Sequence, residues 1–204
     1  MDKNLSAIIV SRKTGEESWK AKGIQLENKL LDFWKWAYSD LASNTLRGIL
    51  AEYIVASELG IASNIRHEWD AYDLETKDGV KLEVKSASYL QTWAQSKHSD
   101  ILFDISPTKG WNASTNEYSD EIKRQADIYI FCLLHHTEKS TLDPLDLDQW
   151  KFYLLPTSVL NAKTPYQKKI GLSALLKLQP VQVPFGEIGL AIKKIVSASQ
   201  SQCS

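Results

Sequence analysis

Only two cysteines occur among 204 residues, the formal net charge is −1, and no apolar run is long enough to cross a bilayer. Each scarcity removes a class of protein. Cys132 lies in an apolar stretch and Cys203 near the end, so no disulfide framework can be read and the spacing fits no zinc pattern. A cytoplasmic setting is the expectation. Because 24 Lys and Arg face 25 Asp and Glu, no global basic field draws the chain to nucleic acid, and any such contact must rest on a local positive patch. The apolar run Ala7-Ile8-Ile9-Val10 is too short for a secretory segment or a membrane span, so no membrane partner is expected. Internal repeats, low-complexity blocks, helix-turn-helix patterns and zinc fingers are also missing. A length of 204 residues suits one core with small appended elements, read here as one compact domain.

What is present is concentrated between Trp69 and Ser86, in the run Trp-Asp-Ala-Tyr-Asp-Leu-Glu-Thr-Lys-Asp-Gly-Val-Lys-Leu-Glu-Val-Lys-Ser. Side chains alternate along an extended chain, so Glu83 and Lys85 share one face while Leu82 and Val84 point into a core. Asp78-Gly79 is a turn dipeptide that folds the strand carrying Asp73 back against the strand carrying Glu83. Two carboxylates can then converge on one hard cation, and oxygen donors of this kind suit Mg²⁺.

This arrangement resembles the PD-(D/E)xK, restriction-endonuclease-like nuclease superfamily, whose signature is an acid, a short gap, then Asp or Glu, any residue, and Lys. Residues 44–134 carry the resemblance. It implies an α/β fold with an αβββαβ core, a central mixed sheet flanked by helices, an N-terminal helix and C-terminal additions. It implies Asp73 and Glu83 as metal ligands, Val84 as a carbonyl donor, and Lys85 as the residue that orients or activates the attacking water. Mg²⁺ is the implied cofactor, with Mn²⁺ expected to substitute and no small-molecule cofactor. DNA is the implied partner, and a homodimer would suit a double-strand cut. Tyr72 stands where the signature often has Pro, which leaves Asp70 as a competing first acid. Asp73 is preferred because Tyr72 and Leu74 face one way and Asp73 the other.

Upstream, residues 44–59 read as a helix, with Ser43 or Asn44 as N-cap and Gly60 as terminator. At about 100° per residue, Leu46, Ile49, Leu50, Tyr53 and Ile54 form its apolar stripe, while Arg47 and Glu58 mark a polar edge. Glu52 falls on neither, among Gly48, Val55, Ala56 and Leu59. An acid there must find a partner or neutralise. The superfamily often carries a Glu on its first core helix that reaches the metal, which makes Glu52 the fourth candidate. The competing explanation is a Glu52 ion pair with an Arg or Lys on a partly exposed helix.

The rest of the chain is read around this centre, with residues 1–43 as an N-terminal extension, 44–155 as the nuclease core and 156–204 as flanking elements ending in a frayed tail. A helix is expected over 24–42, packing on the helix of Glu52. Strands are expected around 61–69, 71–76, 80–88 and 101–105, and residues 117–126 could supply the second core helix. The run 127–134 reads as a central strand covered on both faces, and 151–155 as an added edge or flanking strand. If alternation continues past Ser88, Tyr89, Gln91 and Trp93 share the face of Glu83. Tyr89, Gln91 and Lys97 are therefore the substrate-binding candidates, against ordinary packing as the alternative. Lys163, Lys168, Lys169 and Lys177 could form a phosphate-binding surface or simply a solvated face. His135 and His136 read as polar strand-exit residues.

The function expected is an Mg²⁺-dependent DNA endonuclease of restriction, repair or defence type. Two alternatives are a nuclease-fold DNA-binding or assembly subunit without activity, and an unrelated α/β interaction protein. Glu52, Asp73, Glu83 and Lys85 must meet in a cleft for either nuclease reading to stand.

Overall fold

The computed structural model describes residues 8–63, 65–66, 71–112 and 115–201. Strands β1 (Ser18–Ala21) and β2 (Ile24–Lys29) lead into helix α1 (Leu30–Tyr38), followed by α2 (Asn44–Glu58), β3 (Leu74–Glu75), β4 (Lys81–Ser88) and β5 (Leu102–Asp104). Then come β6 (Thr108–Asn112), β7 (Glu117–Lys123), β8 (Ile128–Leu134), β9 (Trp150–Pro156), α3 (Thr157–Lys163), β10 (Lys169–Gly171), α4 (Leu172–Lys177), β11 (Val181–Val183) and α5 (Ile188–Ser201).

The central sheet has five strands in the order β11-β9-β8-β4-β3. Strands β4 and β8 are parallel and every other neighbour in it is antiparallel, so the sheet is mixed. All seven residues of β8 are buried, as its continuous apolar run requires of a strand covered on both faces. One face packs on Ala51, Ile54 and Val55 of α2 and Ile188, Ala191 and Ile192 of α5. The other packs Phe131, Leu133 and Leu155 against Phe103, Leu160, Ile170 and Leu175, contributed by β5, α3, β10 and α4. The α/β class with a mixed sheet between helices agrees with the sequence reading. Among the described residues, no helix is long and apolar enough to cross a membrane.

Helix α2 begins and ends where its caps dictate. The Ser43 hydroxyl accepts from Leu46 N–H at 3.4 Å. At the other end Gly60 adopts φ +65°, Ile61 N–H donates to Ala56 O and Gly60 N–H to Ser57 O, a Schellman closure. Its buried face overlaps the expected stripe only in part: Ile54 is buried and Leu50 packs on the core, as read, but Ala51, Val55 and Ala56 turn inward with Arg47 and Glu52, while Tyr53 is 57% exposed. Small side chains let the helix backbone approach the sheet closely, so counting bulky residues found only part of the face. Arg47, expected on a polar edge, is buried and bonds Ser86 Oγ, Ala42 O and Asn44 Oδ1.

Other expectations also give way. Residues 24–42 are not one helix, because Lys22 and Gly23 both take positive φ and turn β1 into β2, leaving α1 with no buried residue. Residues 117–126 hold β7 instead of a second core helix, since Asn116 at φ +58° turns the chain and Tyr118 pairs across the hairpin with Trp111. The expected strand over 71–76 shortens to β3, and the described part of 61–66 contains no strand. Strand β9 lies inside the sheet, between β8 and β11, rather than at an edge. The tail is helical through Ser201.

Candidate active site

The turn at Gly79, φ +79°, returns the chain so that Leu74 faces Leu82 and Glu75 faces Lys81. Asp73 lies one residue before this ladder and still donates its N–H to Leu82 O at 3.1 Å. Its side chain reaches further along the same edge of β4, where Oδ2 accepts from Val84 N–H at 2.7 Å. The N–H and C=O of one strand residue point to the same neighbouring edge, so the Val84 carbonyl is directed to the side that Asp73 occupies. Glu83 and Lys85 project from the face opposite Leu82 and Val84, and Lys85 Nζ donates to Glu83 Oε1 at 2.5 Å.

Glu52 approaches from α2. Its two oxygens accept from the Arg66 guanidinium, Oε2 from Nε at 2.5 Å and Oε1 from Nη2 at 2.9 Å. Glu52, Arg66 and Asp73 share the wall of a cavity of about 380 Å³ whose apolar side includes Ile49, Tyr53 and Ile65. The ion-pair explanation of Glu52 is thus realised, and it is realised beside Asp73 rather than away from it.

The charges of these groups act on one another. Burial raises the Asp73 carboxyl above its ordinary range, while the Lys85 charge pulls the other way. Burial raises Glu83 as well, and the neighbouring Asp73 charge adds to it. Glu52 is raised by burial against the opposing Arg66 bond, with Asp73 again contributing. For Lys85 burial favours the neutral amine, but Glu83, Asp73 and Asp104 together outweigh it and its pKa is raised. Tyr129 stands opposite Glu83 in the parallel register, and burial and the Glu83 charge keep its phenol protonated. Burial is thus the leading cause in all three acids, and the Asp73 charge adds to it at Glu52 and Glu83.

Among the described residues no group of three or more His, Cys, Asp or Glu side chains is arranged to hold a metal ion. The reason is visible: Glu52 is turned to Arg66, Glu83 to Lys85, and one Asp73 oxygen to Val84 N–H.

The four principal candidates therefore gather at one edge of the sheet, and the three substrate-binding candidates do not join them. Strand β4 ends at Ser88, so alternation does not carry Gln91 onto the Glu83 face. Gln91 is buried, with Nε2 bonded to Ser99 Oγ and its N–H to Gln95 Oε1, and it builds the following loop. Its Oε1 has no hydrogen-bond partner among the described residues. Tyr89 packs its ring against the second core cluster and beside His98. The Lys97 side chain is 79% exposed and pairs loosely with Asp100 at 3.9 Å. His135 and His136 bond Asp148 O and Thr141 Oγ1, as strand-exit polar groups would. Asp70 lies outside the described residues.

Sequence reasoning missed Arg66 and Asp104. Arg66 sits in an unpatterned stretch, and its only signal was the need of Glu52 for a partner. Asp104 is brought toward Lys85 by β5, an element whose pairing with β10 has no linear signature.

Residues 3–173 match the family described as bacteriophage T4 endonuclease IV. No curated protein matches the chain.

Proposed function

The chain belongs to the bacteriophage T4 endonuclease IV family, and on that premise we propose that it is a metal-dependent DNA endonuclease of the PD-(D/E)xK type, with its active site at Asp73, Glu83, Lys85 and Glu52. The observation that carries this reading is the crowding of three partly buried carboxylates against Lys85, each raised in pKa by burial. Structural ion pairs are arranged to neutralise charge, whereas among the described residues the acids here, Glu52, Asp73, Glu83 and Asp104, outnumber the cations Lys85 and Arg66.

The donor set suits a hard divalent ion. Asp73 and Glu83, with the Val84 carbonyl on the same edge, would hold Mg²⁺ or Mn²⁺, and Glu52 would support it. When bound, such an ion polarises a phosphodiester and lowers the pKa of a coordinated water. Lys85, with its raised pKa, is an ammonium at neutral pH. Its part is then to orient the attacking water and steady the charge that develops on it and on the phosphate, not to remove its proton. The Glu83 carboxylate fixes Lys85 in that position. Attack forms a water oxygen–phosphorus bond and breaks the bond to the 3′ oxygen; the water gives its proton to solvent and the 3′ oxygen takes one from solvent, leaving the 5′-phosphate and 3′-hydroxyl ends that the superfamily resemblance implies. Lys169, opposite Asp104 in the β5–β10 pair, extends a basic flank with Lys168 from the Lys85 side, where a DNA backbone would lie.

Plasmid nicking in Mg²⁺ and in Mn²⁺ tests the reading. The wild type should cut, and Asp73→Ala and Lys85→Ala should each lose at least about 100-fold in rate. Equal behaviour of all three proteins removes this site from catalysis and leaves a DNA-binding or assembly role.

A further inference from the structure

We propose that Arg66 is an exchangeable cation: its guanidinium occupies the Glu52 carboxylate in the metal-free protein, gives that carboxylate up when a divalent ion arrives, and then takes a phosphate of the substrate. This rests on the metal-site reading above.

Both Glu52 oxygens are engaged by Arg66, so the acid has no oxygen to offer a metal while that pair stands. The two partners differ in what can move. Glu52 projects from the middle of α2, a helix locked at both ends, and its side chain is 12% exposed. Arg66 comes from a stretch that is neither helix nor strand, and its side chain is 39% exposed. The guanidinium is the member that can leave, and the cavity it lines with Asp73 gives it room to do so without unfolding α2.

Charge favours the exchange. Among the described residues the acids Glu52, Asp73, Glu83 and Asp104 outnumber the cations Lys85 and Arg66, and a divalent ion offsets that excess and so loosens the hold of Glu52 on the guanidinium. A guanidinium displaced from a carboxylate beside the metal ligands is a planar donor suited to two phosphate oxygens. Arg66 thus links metal entry to substrate capture.

The test follows the reactivity of Arg66 toward phenylglyoxal, read by peptide mass spectrometry on the full-length protein. Modification should be slow without metal, at least about fivefold faster in Mn²⁺, and slow again when phosphorothioate-substituted DNA is added. Calorimetry on the same samples reports whether Mn²⁺ binds. If Mn²⁺ binds and Arg66 reactivity stays unchanged, exchange at Glu52 is overturned. If Mn²⁺ exposes Arg66 but DNA does not protect it, the phosphate contact is overturned. If calorimetry shows no Mn²⁺ binding to the wild type, the metal-site reading itself fails, a result distinct from both. As a second line, Arg66→Gln should bind Mn²⁺ about tenfold more tightly, about 1.4 kcal/mol, while its KM for DNA rises. An Arg66→Gln protein with unchanged or weaker Mn²⁺ affinity also overturns the exchange.

Discussion

The Asp73 carboxylate accepts the backbone N–H of Val84 at 2.7 Å, so the first acid of the candidate site is tied to the strand that carries the second. This bond holds Asp73 beside Glu83 even though the β3–β4 ladder pairs only two residues on each side. It also means that Asp73 has a structural duty apart from any chemistry.

Those two duties separate in variants. Asp73→Asn can still offer an oxygen to Val84 N–H but loses the negative charge, so its stability should stay within about 1 kcal/mol of wild type while cleavage collapses. Asp73→Ala leaves the Val84 N–H without its acceptor and should cost about 1–3 kcal/mol more in urea unfolding. Equal stability of the two variants would show that the bond contributes nothing.

A second prediction concerns pH and stability. Glu52, Asp73 and Glu83 hold protons to higher pH than ordinary carboxyls, with burial the leading cause in each. In the unfolded chain they return to about 4. Between that value and their raised native values the folded protein binds more protons than the unfolded one, so their stabilising effect is full at low pH and lost as pH rises through the native values. These groups should therefore make the metal-free protein more stable as pH is lowered from neutrality toward the ordinary carboxyl range. The difference in melting temperature between about pH 5 and about pH 7 should shrink in the double variant Asp73→Asn, Glu83→Gln. Added Mn²⁺ should restore stability at neutral pH in the wild type and not in that variant.

Which parts of this arrangement could be read from sequence follows from how local their causes are. The ends of α2 are set by Ser43 and Gly60, and the shared face of Glu83 and Lys85 by strand alternation, so both were visible. The buried face of α2 was visible only in part: Ile54 and Leu50 were read correctly, whereas Ala51, Val55 and Ala56 are buried for being small, a property that matters only once a sheet lies against them. The β6–β7 hairpin depends on Asn116 taking positive φ and on Trp111 meeting Tyr118, where the polar run of 117–126 fits a helix equally well. Arg66 lies 14 positions beyond Glu52 and past the end of α2, and no period encodes such a contact.

Arg47 yields a third prediction. The residue is 4% exposed, and its guanidinium bonds Ser86 Oγ, Ala42 O and Asn44 Oδ1 and pairs with no carboxylate among the described residues. Burial accordingly lowers its pKa. Arg47 pins the start of α2 to β4 at Ser86, one position beyond Lys85 and three beyond Glu83. Arg47→Ala should cost roughly 2–4 kcal/mol, since three acceptors lose their donor and a buried volume empties. Arg47→Lys should recover little, because one ammonium cannot reproduce the fork. Chemical denaturation of the three proteins measures this, and an Arg47→Lys protein as stable as wild type would show that the planar geometry is unimportant.

The last prediction turns on Lys85. Were it the base that deprotonates water, the neutral amine would be the active form, and cleavage would climb tenfold per pH unit until the pH reached its pKa. Glu83, Asp73 and Asp104 prevail over burial to raise that pKa above its ordinary value of about 10.4. An ammonium that orients and stabilises predicts another shape. With Asp73 and Glu83 ionised and holding Mg²⁺ at saturation, the rate should stay level between about pH 7.5 and about pH 9 while Lys85 stays charged. Lys85→Arg keeps a cation that does not titrate and should retain measurable cleavage with the same plateau, whereas Lys85→Met removes the charge and should fall to the level of Lys85→Ala. A rate still increasing tenfold per unit at pH 9, accompanied by an inactive Lys85→Arg, would instead make Lys85 a proton acceptor and require that Glu83 be turned away from it during the reaction.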